Sequence, residues 1–382
     1  MMLFRRFVLL LPFFLAACQA SSVEHMESAT DAQGISGEEY RLWHAAGEFD
    51  EKLVRGQYLY EDAELTRYVQ SVMDRLYPEY IGVINVGIIN SPDLNAFALP
   101  NGSIYINSGM LSRLENEAQM ATVLAHEGVH FIHKHSYQQR ISLKQASAFS
   151  LGVGMVTGIP AIGSVIAISS IYGYSKDLER EADEEGFRRL EKAGYDVSQS
   201  PITFQHLLTD VETLEIKQPY FFSSHPRLEE RIESFSNLAA KAGSKTGNVY
   251  EDDYQAETSD LKLELLNDYL EIGQYKSVLL ILKNESARSI YPPQANYFLG
   301  EAYRLRGEEG DTEKSIDAYS ASIAAVPDYS PPYRAMGIHY MKHNEAEKAV
   351  SYFTRYLELT PDAPDIGYIK NYIAKLQSMR GK

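Results

Sequence analysis

The sequence has one cysteine, Cys18, and one tryptophan among its 382 residues. A single cysteine excludes an intrachain disulfide framework and any multi-thiolate metal site. A metal would therefore have to be held by histidine and carboxylates. Basic residues are also short: 36 Lys and Arg stand against 52 Asp and Glu, a formal net charge of −16. That balance argues against nucleic acid or an anionic membrane surface as partner, because both attract basic surface. Residues 145–175 contain no charged side chain at all. With 45% hydrophobic residues, the chain is long enough for two or three domains, each with its own core.

The first 17 residues read as a targeting segment. Arg5 and Arg6 precede the apolar stretch Phe7 to Leu15, which is short for a bilayer span. It runs into Leu15-Ala16-Ala17-Cys18, which resembles the lipobox of bacterial lipoproteins. That resemblance implies a lipid on Cys18. Gln19 in the next position implies sorting to the outer membrane. Residues 18–37 are mostly polar and aperiodic, and read as a tether.

Residues 38–241 read as one α+β, mostly α, domain with a small sheet. Helical periodicity appears in Glu38–Arg55 and Glu61–Leu76. Ile81–Ile89 and Ser103–Asn107 read as strands around a Pro-Asn-Gly turn. Glu115 to about Arg140 reads as one long helix, and Leu178–Ala193 as another stopped by Gly194. A further helix spans Arg227 to about Lys241. The uncharged 145–175 stretch is not expected to span a membrane. One crossing would part the helices on either side of it, and Pro160 leaves halves too short to span twice. A helical hairpin that shields a site or touches a membrane face is expected instead.

Residues 242–259 are polar and acidic and read as a linker. Beyond them, Tyr269, Tyr303 and Tyr340 recur at 34 and 37 residues. Gly337, Tyr340, Ala349, Phe353 and Pro361 resemble a tetratricopeptide repeat, and Gly300, Tyr303, Tyr319 and Pro327 a second, longer one. The expectation for 260–382 is an α-solenoid closed by a capping helix over 365–379.

The chemistry concentrates in LAHEGVHFIHKH, residues 124–135, which holds four of the ten histidines. His126, Glu127 and His130 form H-E-x-x-H. On a helix, positions i and i+4 bring two imidazoles to one ion, and the intervening Glu can take a proton from water. His133 shares their face, but a straight helix sets it about 10 Å from His126 along the axis. It is not expected to ligate, and His135 is expected on the opposite face. A third ligand must come from elsewhere. Glu179 and Asp183 face one way on the later helix. Glu179 can ligate, and Asp183 can hydrogen-bond a ligand imidazole. Taken alone, such an acidic helix is commonly just a solvated surface.

Four segments in order resemble the zinc metallopeptidase family M-forty-eight, of gluzincin type. They are NAFALPNGSIYINSGML, NEAQMATVLAHEGVHFIHKH, SKDLEREADEEG and SSHPRLEERI. The resemblance covers about residues 38–240. The repeats add an arrangement like that of the family's periplasmic lipoprotein branch. It implies one Zn²⁺ per chain, held by His126, His130 and Glu179, with Glu127 as catalytic base. Asp183 matches a proton-donor or ligand-supporting position. His225 and Arg231 are candidates for an oxyanion donor, and His225 alternatively for a resting-state zinc ligand. Gly128 departs from the family in replacing a larger residue, as does Lys134 in replacing Arg. The implied activity is a periplasmic endopeptidase that cuts misfolded or stalled envelope proteins recruited by the repeats. Outer-membrane assembly machinery is a further implied partner. The alternative is an assembly scaffold with a latent protease.

Overall fold

The computed structural model describes residues 23–28, 37–149, 174–213, 225, 228–243, 247–283 and 285–379. Cys18 and most of the uncharged 145–175 stretch lie outside the described residues.

The chain opens with α1 (Gly37–Arg55) and α2 (Ala63–Leu76). Asp62 caps α2 by accepting from the Glu64 and Leu65 amides, as N-cap aspartates do. Three short strands follow, β1 (Asn85–Ile89), β2 (Ala96–Ala98) and β3 (Ser103–Asn107). They form one sheet in the order β1-β3-β2. β1 runs parallel to β3, with Asn85 opposite Ser103, and β2 runs antiparallel to it.

A short helix, α3 (Ser108–Arg113), leads to α4 (Glu117–Ile132) and α5 (His135–Phe149). Then come α6 (Lys176–Ala193), α7 (Gln199–Thr213) and α8 (Leu228–Ala242). α6 stops where expected, with Gly194 left-handed at φ 82°. α4 is the centre of the unit. All of its residues are buried, between α2, β2, α6 and α7. Its buried His, Thr and Gln side chains find partners there.

The expected single helix from 115 to 140 is not one helix. It breaks at His133 and Lys134, and Lys134 is left-handed at φ 55°. The break needs no glycine because its carbonyls find donors. Ile132 O accepts from the Met26 amide at 2.9 Å, and His133 O from the Gln138 side chain at 2.8 Å. Part of the tether is thus fixed: Met26 is buried, and its carbonyl accepts from the Tyr80 hydroxyl.

Gly128 fits a local demand. A Cβ there would stand 2.3 Å from the buried Tyr77 ring, whose hydroxyl donates to Ala125 O. Gly128→Ala should therefore lower stability by about 1–3 kcal/mol through overpacking. A gain in helix propensity of at most about 1 kcal/mol does not offset that. The denaturant midpoint of the variant reads this directly; an unchanged or raised midpoint would refute it.

The 242–259 linker expectation needs correction. Residues 247–258 pack onto the unit centred on α4. Asn248 bridges to Tyr195, and α9 (Glu251–Glu257) buries Tyr254 completely. The stretch looked polar because one aromatic anchors it while its acidic residues stay outside.

Helices continue with α10 (Ser259–Glu271), α11 (Tyr275–Ile281), α12 (Glu285–Ser289), α13 (Ala295–Arg306), α14 (Asp311–Ala325), α15 (Pro331–Lys342), α16 (Ala346–Leu359) and α17 (Ile366–Met379). α13 packs on α14 and α15 on α16. The small residues sit at the crossings: Cβ atoms on Gly300 and Gly337 would stand 2.5 Å from the Tyr319 and Phe353 rings. α10 joins this region to the unit centred on α4. Leu261 enters the larger core, and Glu264 accepts from the Tyr60 hydroxyl at 2.7 Å.

Candidate metal centre

α4 turns His126 and His130 toward α6, which contributes Glu179 and Asp183. His225 arrives from beyond α7, and Arg231 from the first turns of α8. All six are buried, with Glu127.

Four donors converge: one atom each from His126, His130, Glu179 and His225, all within 4.8 Å of one another. His126 Nε2 lies 3.0 Å from His130 Nε2 and 3.2 Å from His225 Nδ1. Glu179 Oε1 is 3.0 Å from His225 Nδ1 and 3.5 Å from His130 Nε2, and Oε2 is 3.6 Å from His126 Nε2. Donors bound tetrahedrally to zinc stand roughly 3.4 Å apart. The set fits one zinc ion in chemistry and in spacing. The same spacing would be poor for a metal-free core, where imidazole nitrogens would face one another.

Protonation agrees. Burial, then Arg231, pushes His126 well below the usual imidazole range. Burial, then His126, does the same to His130. Both rings are neutral, the state a ligand needs. Burial lowers His225 too, but the carboxylates of Glu179 and Glu127 outweigh it and the net direction is up.

The two ligand rings on α4 are held from behind. His126 Nδ1 faces Asp183 Oδ1 at 3.0 Å. Arg231 Nη2 lies 3.0 Å from the same ring nitrogen. Asp183 in turn accepts from Arg231 Nη2 at 2.7 Å and Nε at 3.1 Å. Burial raises the Asp183 carboxyl, and Arg231 opposes the rise. The Arg231 guanidinium lies 4.1 Å from the Phe204 ring centroid. It braces His126 from its Nδ1 side, and its Nη1 lies 3.9 Å from Glu179 Oε2. That position suits a positioning role better than the oxyanion-donor role the sequence suggested.

His130 is held by a residue that helix geometry had turned away. His135 Nδ1 lies 2.8 Å from His130 Nδ1. The left-handed Lys134 rotates His135 back beneath the site, where it is fully buried. Burial pushes its imidazole down to about 3, so it accepts the His130 proton as a neutral ring. Tyr174 stacks on the His130 ring at 3.9 Å. The sequence carried no signal for Tyr174. A straight-helix reading had placed His135 on the opposite face. His133 stays out of the centre and meets Glu181 instead.

Glu127 is fully buried beside the donors, and His225 Nε2 is 3.3 Å from its Oε1. Neither oxygen has a partner in hydrogen-bond geometry. The nearby Ala98 backbone on β2 still favours the ionised form. Burial dominates and raises the carboxyl to about 7. A cation in the four-donor position would lower it again.

The profile of peptidase family M48 matches residues 60–239. The chain carries an M48 peptidase domain. The β-barrel assembly-enhancing protease of Escherichia coli is 26% identical over 262 residues, 64% of this chain and 53% of the relative. The mitochondrial metalloendopeptidase OMA1 of Bos taurus is 30% identical over 173 residues, 41% of this chain and 32% of the relative. That of Saccharomyces cerevisiae is 28% identical over 179 residues, 43% and 52%. The chain thus spans about half or less of these relatives. Among the described residues, no helix is long and apolar enough to cross a membrane.

Proposed function

We propose that this protein is a zinc-dependent endopeptidase. The observation that carries the reading is the four-donor centre with the buried carboxylate Glu127 beside it. Zinc there supplies Lewis acidity toward a peptide carbonyl and toward water. Glu127 takes the proton from that water and delivers it to the leaving amine. Asp183 and Arg231 hold His126, and His135 holds His130, so that the donors do not have to reorganise.

The finer reading is a protease of the periplasm, lipid-anchored through Cys18 to the outer membrane. It acts on misfolded or stalled envelope proteins. The helical pairs from α13 to α16, taken as tetratricopeptide repeats, recruit those proteins. The name of the Escherichia coli relative supports this assignment, as does the lipobox-like sequence.

One observation favours a second reading, a scaffold whose protease is held shut. Catalytic zinc sites keep a position open for water, whereas this centre brings in four protein donors. His225 is the donor outside the two helices that carry the other three, so we infer that it is the one that leaves. The full chain should cleave unfolded casein, and a chelator should stop it. His225→Ala should cleave roughly tenfold faster, since the closed state no longer competes. Slower cleavage by His225→Ala would assign the residue to transition-state stabilisation instead. A Glu127→Gln variant that keeps full biological function would favour the scaffold.

A further inference from the structure

A second set of metal donors lies at the break between α4 and α5, outside the centre described above. His25, His133 and Glu181 each offer one donor atom, all within 4.8 Å of one another. His133 Nδ1 is 2.6 Å from Glu181 Oε1, and His25 Nε2 is 3.7 Å from the same oxygen. The imidazoles of His25 and His133 stack at 4.0 Å. Three elements distant in sequence supply these groups: the tether, the α4–α5 break and α6.

The placement is built. Met26 is buried and bonded through its amide to Ile132 O and through its carbonyl to Tyr80. Its neighbour His25 is thereby set over His133. Lys134, left-handed at φ 55°, fixes the turn that carries His133. A further observation points into the cluster from below. His135 is fully buried, and its Nε2 has no hydrogen-bond partner. That nitrogen faces Glu181 Oε2 at 3.6 Å, so it steadies the carboxylate without ligating.

We propose that His25, His133 and Glu181 form a second binding site for a divalent transition metal. Two imidazoles and one carboxylate suit Zn²⁺, Cu²⁺ or Ni²⁺; Ca²⁺ and Mg²⁺ take more oxygen ligands. The cation would replace the proton now shared between His133 and Glu181. The side chains of His25 and Glu181 are 43% and 36% exposed, so an ion can enter from solvent and keep water in its remaining position. Occupancy would pin the tether to the peptidase unit. It would also join the two centres through Glu181, His135 and His130, which are linked by contacts of 3.6 and 2.8 Å.

The test is metal content of the full chain, carried on a tag without histidine and dialysed against micromolar free zinc. Wild type should retain one more zinc per chain than either His25→Ala or His133→Gln, and titration calorimetry should show a weaker second event. In each variant that event should weaken at least about tenfold, while the tighter event remains. His25 is exposed enough that its loss leaves the fold intact, so that variant alone decides the matter if His133→Gln fails to fold. Equal zinc content in wild type and His25→Ala, or a second event unchanged by that substitution, would overturn the proposal. The cluster would then be a proton-sharing contact only.

Discussion

Replacing Glu127 with Gln is expected to cut cleavage of an unfolded protein by about 10³- to 10⁴-fold, at the upper end of what a positioned general base contributes. Zinc content should not change, because Glu127 is not among the four converging donors. Stability should move the other way from activity. Glu127 is fully buried with no hydrogen bond to either oxygen. Burial raises its carboxyl from 4.5 to about 7, so folding favours the protonated form. In zinc-stripped protein this costs nothing below pH 4.5. The cost grows as pH rises through that range and levels off above 7, at roughly 3 kcal/mol. Gln at 127 removes that slope. Zinc-stripped wild type should therefore lose stability between pH 4.5 and 7, and zinc-stripped Glu127→Gln should not share that loss. Parallel curves for the two proteins would refute this account of Glu127. A variant with wild-type cleavage would remove it from the chemistry altogether.

Removing the metal should have the other large effect. A strong chelator, or His130→Ala, should bring cleavage to background and lower the thermal transition of the peptidase unit. At free zinc a thousandfold above its dissociation constant, binding contributes about 4 kcal/mol. For a unit of about 200 residues this corresponds to a fall of roughly 10 °C. The structural cause is the 3.0 Å contact between two imidazole nitrogens and the buried Glu179 beside them. Without a cation these groups must find protons or move apart. Calorimetry with and without chelator, followed by zinc add-back, checks the shift. An unchanged transition on chelation would mean that the cluster is a hydrogen-bonded core.

Much of the centre was legible in the sequence because helical spacing fixes local direction. His126 and His130 lie one turn apart, and so do Glu179 and Asp183; the structure sets both pairs facing one another across α4 and α6. His133 lies outside the four-donor centre, and the helical rise that argued against it is kept, since α4 is helical to Ile132 and His133 N still bonds Val129 O. The helix breaks only at His133 and Lys134, where the Ile132 carbonyl at the end of α4 meets the Met26 amide from the tether. No local pattern announces that meeting, because the two partners are 106 positions apart. The same break carries His135 under His130 and His133 toward His25.

The sequence by itself determined the peptidase family, the Glu127 motif and the two helix pairs, since these depend on residue type and on spacings of three or four. Only the tertiary structure decided that His225 joins the donors and that Arg231 stands behind His126. It alone packed residues 247–258 onto the unit and made the tether part of a second cluster. Those outcomes depend on which distant surfaces meet. That is settled by burying Met26, Tyr254 and α4 together, and no periodicity encodes it.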